Sequence, residues 1–143
     1  MENPYVSVIG HADRISFPCD LETVVRGVLD RGMAMELNNA SLIPARIAGR
    51  DNIVQIAKLC MRYDVPVCIG SDAHYYTMIG DVGLVFDMLR ELEFPQELII
   101  NAKKERFDRF IENRRKAIEN EYGSGDYAKA NKERIYGDQD SGL

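Results

Sequence analysis

The sequence has no tryptophan, two histidines and three cysteines, and no apolar run approaches the roughly 18 residues that a membrane-spanning helix needs. Each scarcity excludes something. Cys19, Cys60 and Cys68 are odd in number, widely separated and without a CxxC pair, so they form neither a disulfide framework nor a cysteine-based zinc knuckle and read as buried free thiols. An excess of positive charge is also lacking, with Lys plus Arg at 18, Asp plus Glu at 23 and a formal net charge of −5. The basic residues are scattered without interleaved aromatics, which gives no footprint for nucleic acid. The opening MENPYVSVIGHADR has no charged region followed by a long apolar one, so a soluble, cytoplasmic chain is expected, with no membrane partner. What is present is 143 residues with 45% hydrophobic content, enough for one domain with a real core.

Strand and helix signals alternate along the chain. YVSVIG (5–10) is a short β-branched run ending at Gly10, and Asp20 can cap a helix LETVVRGVLDR with Leu21, Val24, Val25, Val28 and Leu29 on one face. Gly32 stops it, and MAMELN (33–38) is the second candidate strand. After a loop with Pro44 and Gly49, Asp51 can cap a second helix that sets Ile53, Ile56, Ala57 and Cys60 at helical spacing. VPVCIG (65–70) has the near-continuous apolar character of a buried parallel strand, and a helix over 81–92 follows with Val82, Val85, Phe86 and Leu89 in one stripe. Three βα units in succession predict a parallel sheet with helices outside. A Pro-led turn and short apolar segment at 94–101 lead to a charged fourth helix over 103–120, carrying Phe107, Phe110, Ile111 and Ile118 and expected across the end or side of the sheet. Residues 121–143 lack a period and read as a polar tail, disordered or ordered by a partner.

In parallel α/β folds the chemistry gathers at the carboxyl ends of the strands. His11 follows the first strand, Glu36 and Asn38 end the second, and Asp72 and His74 follow the third in GSDAH (70–74), so both histidines fall on that edge. In an extended chain, positions i and i+2 share a face, which would aim Asp72 and His74 together. Imidazole and carboxylate suit zinc, manganese or iron, ions that polarise a phosphoryl oxygen and lower the pKa of bound water. Structural readings stand beside these: Asp72 as a cap or turn residue, His74 and His11 as loop histidines, and Glu36 as a solvated strand-end carboxylate. Arg46 and Arg50 lie in a strand-to-helix loop where guanidinium groups can grip a phosphate, or, for Arg50, pair with Asp51 or Asp64.

VIGHADR, MELNNAS and VPVCIGSDAH, in this order and at these separations, resemble the later part of a PHP (polymerase and histidinol phosphatase) domain, in particular its small bacterial YcdX-like phosphatases. The resemblance covers about residues 4–120 and implies a distorted seven-stranded βα barrel with metal ions at the carboxyl ends of its strands, hydrolysing phosphate esters. It implies His11, Asp72 and His74 as metal ligands, and Asn38, Asn39, Ser41 and Arg46 as residues bordering the pocket and holding phosphate. The family's opening His-x-His motif, further histidines and bridging glutamate have no counterpart here, and Ala12 stands where a proline is usual. The chain is therefore expected to be the last three βα units and closing helix of such a barrel, residues 1–120, with metal bound weakly and little turnover alone.

Two functions of different class follow. One is a metal-dependent phosphoesterase, or the portion of one that supplies these ligands, acting on a phosphorylated small molecule and completed by the N-terminal half of the same domain. The other is a non-catalytic α/β module that has lost its metal centre and serves binding or assembly. Cutting a barrel leaves two unpaired edges and an inward face assigned to Val6, Val8, Met35, Val67 and Ile69, from which self-association as a homodimer is expected.

Overall fold

Each predicted βα unit is present among the residues that the computed structural model describes, namely 3, 5–43 and 49–122. Strand β1 (Val8–Ile9) leads to helix α1 (Leu21–Asp30), β2 (Ala34–Asn38) to α2 (Arg50–Tyr63), and β3 (Val67–Gly70) to α3 (Gly83–Glu91), with α4 (Lys104–Tyr122) closing the described chain. Asp20 caps α1 as expected: its Oδ1 accepts from the Glu22 and Thr23 amides at 3.1 and 3.3 Å, and its Oδ2 accepts from the Thr23 hydroxyl at 2.8 Å. Gly32, at φ 59°, turns the chain out of α1 while the Met33 amide donates to Val28 O at 3.0 Å. Helix α2 starts differently from expectation. Gly49 occupies its N-cap, and Asp51 sits in the first turn, where its charge favours the helix dipole without capping it. At the other end Asp64 takes the left-handed conformation, φ 54°, that closes the helix.

The three strands form one parallel sheet in the order β1-β2-β3, as the three βα units predict; seven-stranded closure is not seen among the described residues. Ile9 pairs with Met35 and Met35 with Val67, Leu37 pairs with Ile69, and these side chains enter a core with Val25 and Val28 of α1, Ile53, Ile56 and Cys60 of α2, and Val85 and Leu89 of α3. Burying a side chain such as Leu37, fully inaccessible here, contributes roughly 1.5–3 kcal/mol.

That register corrects the expected inward face. Val8 pairs with Ala34 on the opposite face, whereas Met35, Val67 and Ile69 are buried under the helices and offer no apolar surface for self-association. The second face carries Val8, Ala34 and Cys68 packed against Ile100 and Phe110, and towards the carboxyl ends Gly10, Glu36 and Gly70. Helix α4 closes the amino end of this face. Its buried residues are Phe110, Arg114 and Ile118, while Phe107 and Ile111 are exposed, so the apolar stripe is narrower than its spacing suggests. The Arg114 guanidinium donates to the carbonyls of Val6, at 3.0 Å, and Arg31.

The outer edge of β3 is covered. Val67 bridges Ile99 in parallel, and the Asn101 amide pairs with the Ile69 backbone, accepting from its N–H at 3.0 Å and donating to its carbonyl at 2.8 Å. Helix α4 runs two residues beyond the expected boundary at 120, and residues 123–143 of the predicted tail lie outside the described residues. No helix among the described residues is long and apolar enough to cross a membrane.

Candidate functional site

Strand β1 ends at Ile9, and His11 follows in the left-handed conformation with φ 55°. Two groups of β2 hold it there. The Glu36 Oε2 accepts from the His11 backbone N–H at 3.2 Å, and the Asn38 amide nitrogen lies 3.4 Å from His11 Nδ1. Asn38 is fixed in turn, because its Oδ1 accepts from the Ala40 amide at 2.8 Å and so presents its NH2 to the ring. A donor facing Nδ1 leaves the ring proton of neutral His11 on Nε2.

At the end of β3 the geometry departs from the extended chain assumed for GSDAH. Asp72 turns to φ 53°, which ends the two-residue alternation and with it the argument that Asp72 and His74 project together from an extended strand. A backbone contact links the pair instead: the His74 Nδ1–H donates to the Asp72 carbonyl at 2.7 Å. Since a carbonyl only accepts, this fixes the ring proton on Nδ1 and leaves the Nε2 lone pair available. The two histidines are thus set in opposite tautomers.

His74 also lines a cavity of about 360 Å³ with Asp13, Arg14, Ile15, Ser16, Ser41 and Gly49, which joins the loops after β1 and β3 to the start of α2. Arg14 follows from the turn that His11 opens, its amide donating to His11 O at 3.1 Å. Asp13 is buried, its Oδ2 has no hydrogen-bond partner among the described residues, and its carbonyl accepts from Asn52 at 3.0 Å. Its carboxylate lies against Gly49, where the partial positive charge at the start of α2 offsets part of the burial cost.

Of the other residues expected to hold phosphate, Ser41 is buried at the cavity wall. Asn39 is buried with its Oδ1 accepting from the Val85 amide at 3.0 Å, which ties it to the first turn of α3. Arg46 lies outside the described residues, and Arg50 is exposed at the start of α2. Asp13 and Arg14 were not singled out by sequence reasoning, and Glu36 was weighed there against a reading as a solvated strand-end carboxylate. Arg14 carried a usable signal, standing three positions after His11 in the same post-strand loop.

The cysteines take no part in the cavity. Burial pushes the Cys60 thiol up to about 12, and burial together with the charge of Glu36 raises that of Cys68. Among the described residues no three His, Cys, Asp or Glu side chains converge closely enough to hold a metal ion. The donor set fits an ion in part: His74 offers Nε2, whereas His11 as placed offers an N–H.

Residues 54–106 match the family described as PHP-associated. Over 118 residues the chain is 35% identical to a protein of Acetivibrio thermocellus named "Probable phosphatase", covering 82% of this chain and 48% of that one. A protein of the same name from Caldicellulosiruptor saccharolyticus is 38% identical over 119 residues, 83% of this chain and 49% of its own, and one from Syntrophotalea carbinolica 39% over 105 residues, 73% and 44%. The chain spans about half the length of the curated relatives it matches. The succession of βα units, the histidines at the strand ends and these matches agree: residues 54–106 are similar to the PHP-associated family, and the chain is similar to curated proteins named "Probable phosphatase".

Proposed function

We propose that this chain supplies part of the active site of a metal-dependent hydrolase of phosphate esters. The observation that carries the reading is His74, whose Nδ1–H is held by the Asp72 carbonyl so that Nε2 is free beside a cavity lined by Arg14 and Ser41. His74 and Asp72 would hold a zinc, manganese or iron ion, with His11 joining them on exchanging its long contact with Asn38. When bound, the ion supplies neutralisation of the phosphoryl oxygens and a lowered pKa for the attacking water. The chain's own side chains do the rest. Arg14 gives a planar cation for the phosphate oxygens, the Ser41 hydroxyl donates to one of them, and Arg46 serves as a further anion clamp. Seven-stranded closure would come from the N-terminal half of a PHP domain, which would add the remaining ligands along the open side of β1.

The test is turnover of 4-nitrophenyl phosphate with Mn²⁺ or Zn²⁺, for this chain alone and mixed with a polypeptide carrying the missing strands. Little turnover alone and metal-dependent turnover in the mixture, lost in His74→Ala, is the expected result. Robust turnover by the chain alone that vanishes in His11→Ala would instead mean that copies of it pool their ligands in a homodimer.

A second reading, a non-catalytic α/β module for binding or assembly, is favoured by the lack of a converged ligand trio among the described residues. Turnover in neither arm, together with no metal uptake, selects it.

A further inference from the structure

Glu36 stands at the middle of the central strand, on the face that α1 and α2 do not cover, where a half-buried carboxylate is costly unless it serves a purpose. Both neighbouring strands make room for it. A Cβ on Gly10 would lie 2.9 Å from its Oε2, and a Cβ on Gly70 would lie 2.7 Å from its Oε1, closer than real side chains approach. A glycine just beyond β1 and another ending β3 thus admit one side chain of β2. Its carboxylate accepts from the backbone N–H of His11, 25 positions earlier in the chain, and no cation pairs with it among the described residues. His11 in turn occupies a left-handed conformation, uncommon for a residue with a Cβ and favoured where its surroundings support it.

We infer that Glu36 is a positioning residue: seated between Gly10 and Gly70, it holds the His11 backbone in its left-handed turn and so sets the imidazole at the edge where the site is assembled. The assignment rests on His11 belonging to that site, as proposed above. The side chain reaches His11 through its length as well as its charge. Asp at this position keeps the charge and falls short, whereas Gln keeps the length and an acceptor oxygen.

The test uses the whole chain with Glu36→Gln, Glu36→Asp and Glu36→Ala, and two readouts. Without metal, hydrogen exchange of the His11 amide followed by NMR reports the bond itself. The Gln variant should keep the protection of the parent, while Asp and Ala should each lose it, with at least about tenfold faster exchange at His11 and unchanged exchange in α1 and α2. With added Zn²⁺, the Asp and Ala variants should bind about tenfold or more weakly than the parent and Gln should restore most of the loss, the range expected when a group supporting a ligand is removed. A Cβ at Gly70 gives an independent check: Gly70→Ala should expose the His11 amide in the parent and do so no further in the Glu36→Ala background. Unchanged His11 exchange in Glu36→Ala and Glu36→Asp overturns the assignment, as does equal loss in Gln and Ala. If the parent takes up no Zn²⁺ while His11 exchange still depends on Glu36, the metal reading falls and the positioning role stands.

Discussion

The two faces of the sheet are built from alternate residues of the same strands and are opposite in character. Under α1 and α2, Met35, Leu37, Val67 and Ile69 are at most 7% exposed and join one continuous core. One residue along each strand, the other face carries Ala34, Cys68, Glu36 and Gly70, apolar only at its amino end where Ile100 and Phe110 cover it. A period of two lets four or five residues serve both faces, an apolar core on one side and a polar carboxyl edge on the other. The difference also bears on assembly. The inner residues Met35, Val67 and Ile69, which the uncovered-barrel argument for association relied on, are already buried.

Paired substitutions put this contrast to its hardest test. Leu37→Ala on the helix-covered face should cost about 2–5 kcal/mol, whereas Cys68→Ala on the other should cost much less, both read from urea unfolding. Equal costs would erase the distinction. Arg114→Ala should follow at about 1–3 kcal/mol, because it leaves the Val6 and Arg31 carbonyls without their donor and loosens α4 from the amino end of the polar face.

A pH series tests the covered face in another way. The buried Cys60 thiol, raised to about 12 from an ordinary 9.0, stays neutral in the fold after the unfolded chain has begun to ionise. Its stabilising contribution is therefore complete below about pH 9 and declines from there towards 12, by roughly 1.4 kcal/mol per pH unit at most. The urea midpoint should fall between pH 8 and 10.5, less so in Cys60→Ala. On the polar face the expected change is of binding: Asn38→Asp puts an acceptor against His11 Nδ1, moves the ring proton there and frees Nε2. Zn²⁺ affinity should rise about tenfold in calorimetric titration, and a fall would show that His11 does not bind through Nε2.

Much of the covered face was legible in the sequence, because periodicity reports burial directly. The strands at 33–38 and 65–70, the cap at Asp20 and the stop at Gly32 all follow from local chemistry and are found at or within a few residues of their expected bounds. Face assignment across strands was not legible. Val8 and Met35 are both apolar, and which of them shares a side with Val67 depends on a register set by long-range pairing. Likewise the left-handed turn at Asp72 has no signal in GSDAH, so the two-residue spacing suggested a shared direction that the backbone does not keep. Glu36 read as a solvated strand-end carboxylate because its seat is made by Gly10 after β1 and Gly70 at the end of β3, a relation that appears only when the strands are side by side. The separation of the two histidines by opposite ring protonation depends on Ala40 and on a backbone carbonyl, again outside the reach of spacing.

The central claim, that the polar carboxyl edge takes a divalent ion at His74 with Asp72, is tested most directly by following the imidazole nitrogens of the chain by ¹⁵N NMR during a Zn²⁺ titration. The account predicts that His74 Nε2 shifts as a metal-bound nitrogen while Nδ1 keeps its proton, and that the shift disappears in the Asp72→Ala variant. Metal-free spectra at both histidines at millimolar Zn²⁺, or a His74 shift that survives Asp72→Ala unchanged, would contradict it.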